Sequence, residues 1–355
     1  MSPEQSTDGL PSLERRPGFS GTRHEDATPA SVEFDAHAAA LRVTGRDILL
    51  TSRPSAGWRL DRLPLKHLLL EYRNSGGANI VAGESPADAI VVATLASAKS
   101  GELINGRPIG PLDLVLFPPA GKFIQTSSHP HEWIAAVVPV SQLPQKYESE
   151  ANVVDILARE IQPIILRSPT LAQKIVMSAG MIDRLVGDNA AYQTLPRLHD
   201  CETSLLETLS IAVWAALDRL RVKPPFSRAR GTKAADLAYR AFRQLDASAA
   251  DGHRIADLCR VFGATERQLR RSFKSHFAIG PNKLARLQRI NRVRRLLVDR
   301  KENGSKIGSI LASCEVTEPG RFACEYKALF GETPSQTRNR YRSGNRHGFT
   351  PGTGA

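Results

Sequence analysis

Cysteine is scarce in this chain. There are four in 355 residues: Cys201, Cys259, Cys314 and Cys324. Their spacings make no CxxC pair and no zinc pattern, and such sparse use fits a reducing cytosol. Aromatic residues are few as well, at 6%. The basic stretches lack interleaved rings that would stack bases, which counts against an RNA or single-strand binder. No uninterrupted apolar run approaches the length of a membrane span. The opening "MSPEQSTDGLPSLERRPGFSG" has no apolar stretch after its charges, unlike a signal peptide. These absences lead us to expect a soluble, cytoplasmic protein with no membrane partner. Catalytic signatures are missing too: there is no P-loop, dinucleotide fingerprint, HExxH or GxSxG. "HPHEW" brings His129, His131 and Glu132 together, and two histidines at i and i+2 share one face of a strand. No further ligand pattern follows at a suitable spacing, and a proline separates the two. The expectation is no enzyme, no cofactor and no metal.

What the chain does have is positive charge in one place. The net charge is +12. Residues 251–300 hold 13 Lys or Arg against 4 Asp or Glu, whereas residues 1–250 balance to zero. A field confined to one short region points to a polyanionic partner for that region alone. Within it, "GATERQLRRSFKSHF" (263–277) places Arg267, Arg270, Arg271 and Lys274 at i, i+3, i+4 and i+7, on one helical face. Leu269, Phe273 and Phe277 recur on the opposite side and can anchor the helix in a core. A helix fixed on one side and cationic on the other fits a DNA major groove.

The surroundings of that helix strengthen the reading. "RIADLCRVFG" (254–263) forms a short helix with Ile255, Leu258 and Phe262 on one face. Gly263 supports a sharp stop and Thr265 an N-cap for the next helix, which together make a helix-turn-helix. A weaker second copy follows. The segment 281–300 starts with Pro281 in a helical first turn, then come "KIGSILASCEV" (306–316) and "EPGRFACEYKALFG" (318–331). The last of these sets Phe322, Tyr326 and Phe330 at i, i+4 and i+8 and ends at Gly331, with Pro334 soon after.

The front of the chain has different periods. Residues 1–30 read as a loosely ordered arm rich in Pro, Gly, Ser and charge. Residues 31–145 read as short strands: "DILLTSR", "HLLLEYR", "AIVVATLA", "DLVLFPP" and "WIAAVVPV", divided by polar turns. That pattern suggests a sandwich or small barrel. Residues 146–222 change to helical spacing, beginning with "ANVVDILAREIQPIILRS" and continuing in Leu171–Leu185 and Leu205–Leu220. These helices can pair with each other or with a second subunit. Residues 223–233, with two prolines, read as a linker. Residues 234–341 read as all-helical, and 342–355 as a disordered tail.

Residues 232–341 resemble the DNA-binding domain of the AraC/XylS family of bacterial transcriptional regulators. The match rests on Ile255, Ala256, Leu258, Gly263, Leu269, Arg271, Phe273, Pro281, Arg289, Ile290, Phe322, Tyr326, Phe330, Gly331 and Pro334. The resemblance implies a seven-helix domain whose two recognition helices enter successive major grooves. The chain departs from the pattern where the second turn carries Glu315 and Val316 in place of a Gly-Phe pair, and a turn without its glycine can set the following helix at another angle. "GPLDLVLFPPAGKF" and "HEWIAAVVPVSQL" resemble the cupin-like regulatory domain of one branch of these regulators. The resemblance therefore implies a multidomain chain: an all-β cupin-like sensor, a helical middle segment, and an all-α C-terminal domain with two helix-turn-helix units.

The function implied is a sequence-specific DNA-binding transcriptional regulator, an effector-responsive activator. Its partners would be double-stranded DNA, an unidentified small-molecule effector, RNA polymerase and a second copy of the chain. Arg267 and Arg270 are the expected base readers, with Arg321 and Glu318 in the second unit; a carboxylate can accept from a cytosine amino group. Gln268 is a weaker candidate. Arg271, Lys274, Arg289 and Arg292 are expected on the DNA backbone. Trp58, Phe117, Phe123 and Trp133 are candidate walls of an effector pocket. A non-specific nucleic-acid binder is the alternative, and a metal-binding cupin enzyme fused to a DNA-binding domain a more remote one.

Overall fold

The computed structural model describes residues 30–96, 101–143, 162–187, 196–222, 225–247, 255–302 and 304–343. The expected arm, the segment 150–161 and most of the expected tail lie outside them. The first element is a helix, α1 (Ala30–Val43), in a stretch expected to be strands. Its sequence explains it: Phe34, Ala38 and Leu41 recur at helical spacing and are all buried.

Ten strands follow: β1 (Asp47–Leu50), β2 (Arg59–Pro64), β3 (Leu69–Ser75), β4 (Asn79–Glu84), β5 (Ala89–Leu95), β6 (Glu102–Ile104), β7 (Arg107–Ile109), β8 (Asp113–Phe117), β9 (Lys122–Ser127) and β10 (His131–Pro139). An eleventh, β11 (Ile164–Arg167), pairs with β8. The "PIILR" end of the first expected middle helix is thus a strand. Pro163 interrupts the helical period and the Ile-Ile pair favours extended backbone.

The strands form two sheets, in the orders β1-β4-β9-β6-β7 and β11-β8-β5-β10-β3-β2. Among the described residues the strands close into no barrel, so the cupin-like expectation is corrected. Among the described residues each sheet keeps two edge strands. One of those edges shows why closure is not needed. The Leu50 N–H donates to Asn291 Oδ1 at 3.0 Å, and Asn291 Nδ2 donates to the Leu50 carbonyl at 3.1 Å. A side chain from a helix thereby takes the place of a neighbouring strand.

Two helices, α2 (Pro169–Val186) and α3 (Pro196–Val222), cover the outer face of the six-stranded sheet. Leu70, Ile90, Val92, Leu114, Ile134 and Ala136 point to them, while alternate residues such as Ala93, Val115, Phe117 and Trp133 point between the sheets. No described helix is long and apolar enough to cross a membrane.

Seven α-helices follow among the described residues: α4 (Pro225–Ala247), α5 (Ile255–Phe262), α6 (Glu266–Phe277), α7 (Pro281–Val298), α8 (Ile307–Ser313), α9 (Pro319–Phe330) and α10 (Pro334–Ser343). Helical backbone starts at Pro225, inside the stretch read as a linker, because proline is tolerated in a first helical turn. The core of these helices is continuous with the space between the sheets and with α1. Phe34 of α1 lies 6.3 Å from Phe330 of α9, ring centre to ring centre.

Candidate nucleic-acid interface

The helix α6 is held at both ends and along one side. A capping box starts it: the Thr265 N–H donates to Gln268 Oε1 at 2.9 Å, and the Gln268 N–H to Thr265 Oγ1 at 3.3 Å. That use of the Gln268 side chain occupies the group the sequence had offered as a weaker base reader. Leu269 and Phe273 are fully buried, and Phe277 nearly so. Phe277 stacks on Phe242 of α4 at 5.8 Å.

The outer face carries the charges. Arg267, Arg270, Arg271 and Lys274 are all exposed. Arg270 is engaged by Glu266, one turn earlier, at 2.6 and 2.8 Å. Arg267, Arg271 and Lys274 find no acceptor among the described residues. The four cations are therefore not equivalent. Three are directly available to a polyanion, and Arg270 must first leave an exposed ion pair that contributes little to stability.

The second unit presents less. Glu318 stands at the N-cap of α9 without a side-chain capping bond, and Pro319 follows. Arg321 lies 3.3 Å from Glu325 Oε1 and 3.9 Å from Glu318 Oε2, so its own helix already flanks it with two carboxylates. On α7, Arg289 is half-buried and lies 3.9 Å from Glu315 Oε2. Arg292 is half-buried as well.

The C-terminal end of α6 meets the sheets. Thr126 Oγ1 on β9 donates to the His276 carbonyl at 2.7 Å. Gly106, at φ +73 in the β6–β7 turn, leaves room there: a Cβ would stand 2.8 Å from the Ser275 carbonyl oxygen. The other unit is tied to α1. Asp35 accepts from Arg294 of α7 at 2.7 Å through both oxygens and from Tyr341 at 2.7 Å. Glu332 accepts from Arg294 at 3.1 Å.

Between the sheets lies a cavity of about 140 Å³ lined by Phe117, Phe123 and Trp133. Trp58, the fourth expected wall residue, is not part of it; its ring packs on Phe34 and His37. Sequence reasoning missed the polar lining: Arg46, Arg62, Glu71, Arg73, Glu84 and Gln125. The clue was Glu71 and Arg73 at i and i+2 in "LLEYRNS", two charges on one face of an otherwise apolar strand. Burial drives the Glu71 carboxyl upward, but bonds from Arg46 and the charges of Arg73 and Arg62 outweigh it and hold it at about 2.

His131 points inward beside this cavity and His129 is exposed, so the pair does not converge as a metal site would require. Ser127 Oγ and His131 Nδ1 lie 2.8 Å apart, and Ser127 donates to Glu102 at 2.5 Å. Burial raises the Glu102 carboxyl to about 7, and burial together with Arg73 holds His131 at about 3. Elsewhere His67, His199 and Glu202 bring ligand atoms within 4.8 Å of one another, the grouping of that kind among the described residues.

A family model described as a helix-turn-helix domain matches residues 258–340. Residues 258–340 form a helix-turn-helix domain. The AraC/XylS resemblance falls on this domain. Solved structures with a related chain include a probable AraC family transcriptional regulator from Rhodopseudomonas palustris CGA009, at 23% identity and TM-score 0.27, covering 30% of this chain and 97% of that one. The AraC-like transcriptional activator CuxR matches at 19% identity and TM-score 0.38, covering 81% and 97%. ToxT from Vibrio cholerae matches at 11% identity and TM-score 0.31, covering 77% and 98%. The helix-turn-helix domain itself spans α6 and α9, the two helices whose outward faces were described above.

Proposed function

We propose that the chain is a sequence-specific transcriptional activator whose DNA binding responds to a small-molecule effector, acting in the cytoplasm on double-stranded DNA and RNA polymerase. The observation that carries this reading is the face of α6. Arg267, Arg271 and Lys274 project from a capped, core-anchored helix with no acceptor among the described residues. In this reading Arg267 and Arg270 read base edges, Arg271 and Lys274 hold phosphates, and Arg289 and Arg292 set the register. Glu318 and Arg321 read selectively in the second unit. Met177, Met181 and Ile211 expose apolar side chains on α2 and α3, which supports pairing of two copies through those helices. The chain is a regulator rather than an enzyme.

The test is footprinting of the full-length chain on genomic fragments, with a random duplex titrated at several salt concentrations. A protected site with affinity at least about 10³-fold above random DNA is expected. Equal protection of random sequence would favour the non-specific binder.

A further inference from the structure

The two histidines that the sequence put forward, His129 and His131, do not converge, but two others do. His67 lies in the β2–β3 turn, where the Leu65 N–H donates to the Leu68 carbonyl at 2.9 Å. His199 and Glu202 stand at i and i+3 on α3 and share one face of that helix. The fold brings the turn and the helix together, although His67 and Glu202 are 135 residues apart in the chain. One ligand atom from each of the three side chains lies within 4.8 Å of the others.

Glu202 is the member that calls for an explanation. It sits in the buried stripe of α3, between Leu198 and Leu205, and is 3% exposed. A carboxylate there is costly unless a cation or hydrogen bonds compensate it. Among the described residues no arginine or lysine pairs with it. Its Oε1 accepts from the His67 N–H at 2.5 Å, and His67 Nδ1 stands 3.5 Å from the same oxygen. The second distance is beyond the roughly 2.7–3.2 Å of an N–H···O bond. It is close to the spacing of two ligands on one ion: donors ~2.0–2.1 Å from a tetrahedral zinc stand ~3.3–3.4 Å apart. The three side chains run from solvent to interior, with His199 exposed, His67 half-buried and Glu202 buried. An ion can therefore enter past His199, whose exposed ring can swing in to complete the set.

We propose that His67, His199 and Glu202 bind a divalent transition-metal ion of the zinc type, and that the ion clips the N-terminal part of α3 to the β2–β3 turn. Two imidazoles and one carboxylate suit zinc, whereas magnesium and calcium take oxygen ligands. A carboxylate oxygen has two lone pairs, so the His67 N–H orients Glu202 and leaves it free to bind the ion. The buried charge of Glu202 thereby gains the cation that no arginine or lysine supplies. The remaining coordination position faces solvent beside His199 and is left to water. Sulfur is not part of the set. Cys201 lies between the two α3 ligands in the sequence, but its thiol turns to Met181 Sδ at 3.4 Å. The ion would act on the outer side of the six-stranded sheet, apart from α6 and from the cavity, so the site is independent of DNA binding.

The test is calorimetric titration of zinc chloride into the untagged full-length chain after stripping with a chelator, with magnesium chloride as the comparison. One zinc per chain should bind, and magnesium should bind far more weakly. His199→Ala changes an exposed position, so the fold should survive and zinc affinity should drop roughly tenfold or more. Glu202→Gln keeps an acceptor for the His67 N–H and should weaken zinc by a similar factor. Cys201→Ser should leave zinc binding unchanged. Cobalt(II) in the same site should show d–d bands that persist in Cys201→Ser and are lost in His199→Ala. Zinc should also raise the Tm of the wild type and not that of His199→Ala. If Glu202→Gln misfolds, the His199→Ala comparison still decides. No zinc binding below millimolar concentration, equal affinity in His199→Ala, equal affinity for magnesium, or loss of binding in Cys201→Ser would each overturn the proposal.

Discussion

The two helix-turn-helix units reach the same turn from different residues. In the first, Gly263 takes φ +59, and the turn is closed by bonds from the Gly263 N–H to the Arg260 carbonyl and from the Ala264 N–H to the Cys259 carbonyl. In the second, Glu315 takes φ +55, and the corresponding N–H groups of Glu315 and Val316 bond the carbonyls of Ala312 and Leu311. The loss of glycine therefore leaves the hydrogen bonds of the turn in place. The strain falls on Glu315, for which a left-handed conformation costs about 1–2 kcal/mol. Its carboxylate reaches towards Arg289, which offsets part of that cost. What differs between the units is the face each offers: unpaired cations on α6, and one flanked arginine on α9. Backbone form and electrostatic function have separated.

The largest effect expected concerns how the second unit is held. Arg294 is 1% exposed and pairs with both Asp35 and Glu332, the latter shared with Arg340. Arg294→Met leaves the buried Asp35 carboxylate without its cation, while Glu332 keeps Arg340, at a cost of about 3–5 kcal/mol. Denaturant unfolding measures the total. Amide exchange should show α9 and α10 losing more protection than α6, which has its own contact through Thr126. Equal loss in both units would mean that the cluster stabilises the domain as a whole.

The next effect compares the two faces on DNA. Arg267→Ala should cost roughly 1–3 kcal/mol on the specific site and relax selectivity. Arg321→Ala should cost less, since Glu318 and Glu325 already occupy it. Lys274→Ala should weaken specific and random DNA alike and flatten the salt dependence. Glu318→Ala sharpens the contrast: affinity rising on all DNA at low salt indicates repulsion of phosphate, and loss confined to the specific site indicates a base contact. If Arg321→Ala costs as much as Arg267→Ala, the asymmetry between the units is wrong.

A smaller effect tests the turns themselves. Gly263→Ala forces a side chain into φ +59 and should cost about 1 kcal/mol of stability. Glu315→Gly relieves the same strain, so it should be neutral or stabilising by up to about 1 kcal/mol, less the contact with Arg289. Opposite signs in the two units are the expected outcome of thermal unfolding. Destabilisation by both substitutions would show the Glu315–Arg289 contact to outweigh the strain.

The first unit was largely legible in the sequence. The cationic stripe, the Thr265 cap, the Gly263 stop and the buried Leu269, Phe273 and Phe277 all depend on neighbours within a few residues. The second unit's buried stripe and its stop at Gly331 were legible for the same reason. The cavity was not, because Arg73, Trp133 and Gln125 meet only through strand register and through the stacking of two sheets. Asp35 and Arg294 are 259 residues apart in the chain, and nothing local in "VEFDAH" announces their pairing. The cupin-like expectation failed at closure, which depends on which groups satisfy the edge strands. Asn291 does so for β1 from a helix of the other region, and strand patterns carry no trace of it.

The smallest effect is a pH response that only one unit should show. His276 is 5% exposed at the end of α6, and its Nδ1 lies 2.8 Å from the Ser272 carbonyl. Burial lowers its pKa below the usual 6.5, against the opposing bond to that carbonyl. A lowered pKa in the folded state means that the unfolded chain binds more protons once the pH drops below about 6.5. The stability His276 contributes is therefore present above 6.5 and is lost as the pH falls through it. Residues 305–343 contain no histidine, so the second unit has no counterpart. Two other histidines act on both: His37 on α1 and His131 on β10 are each held at about 3 by burial and by Arg73, which makes the whole fold sensitive to acid. The local effect must be isolated by difference. Amide exchange of wild type and His276→Gln between pH 7.5 and 5.5 does so. Protection in α6 relative to α9 should fall in the wild type and stay level in the variant. Parallel behaviour of the two chains would place the acid sensitivity of α6 in the shared framework around His37 and His131 rather than in the helix itself.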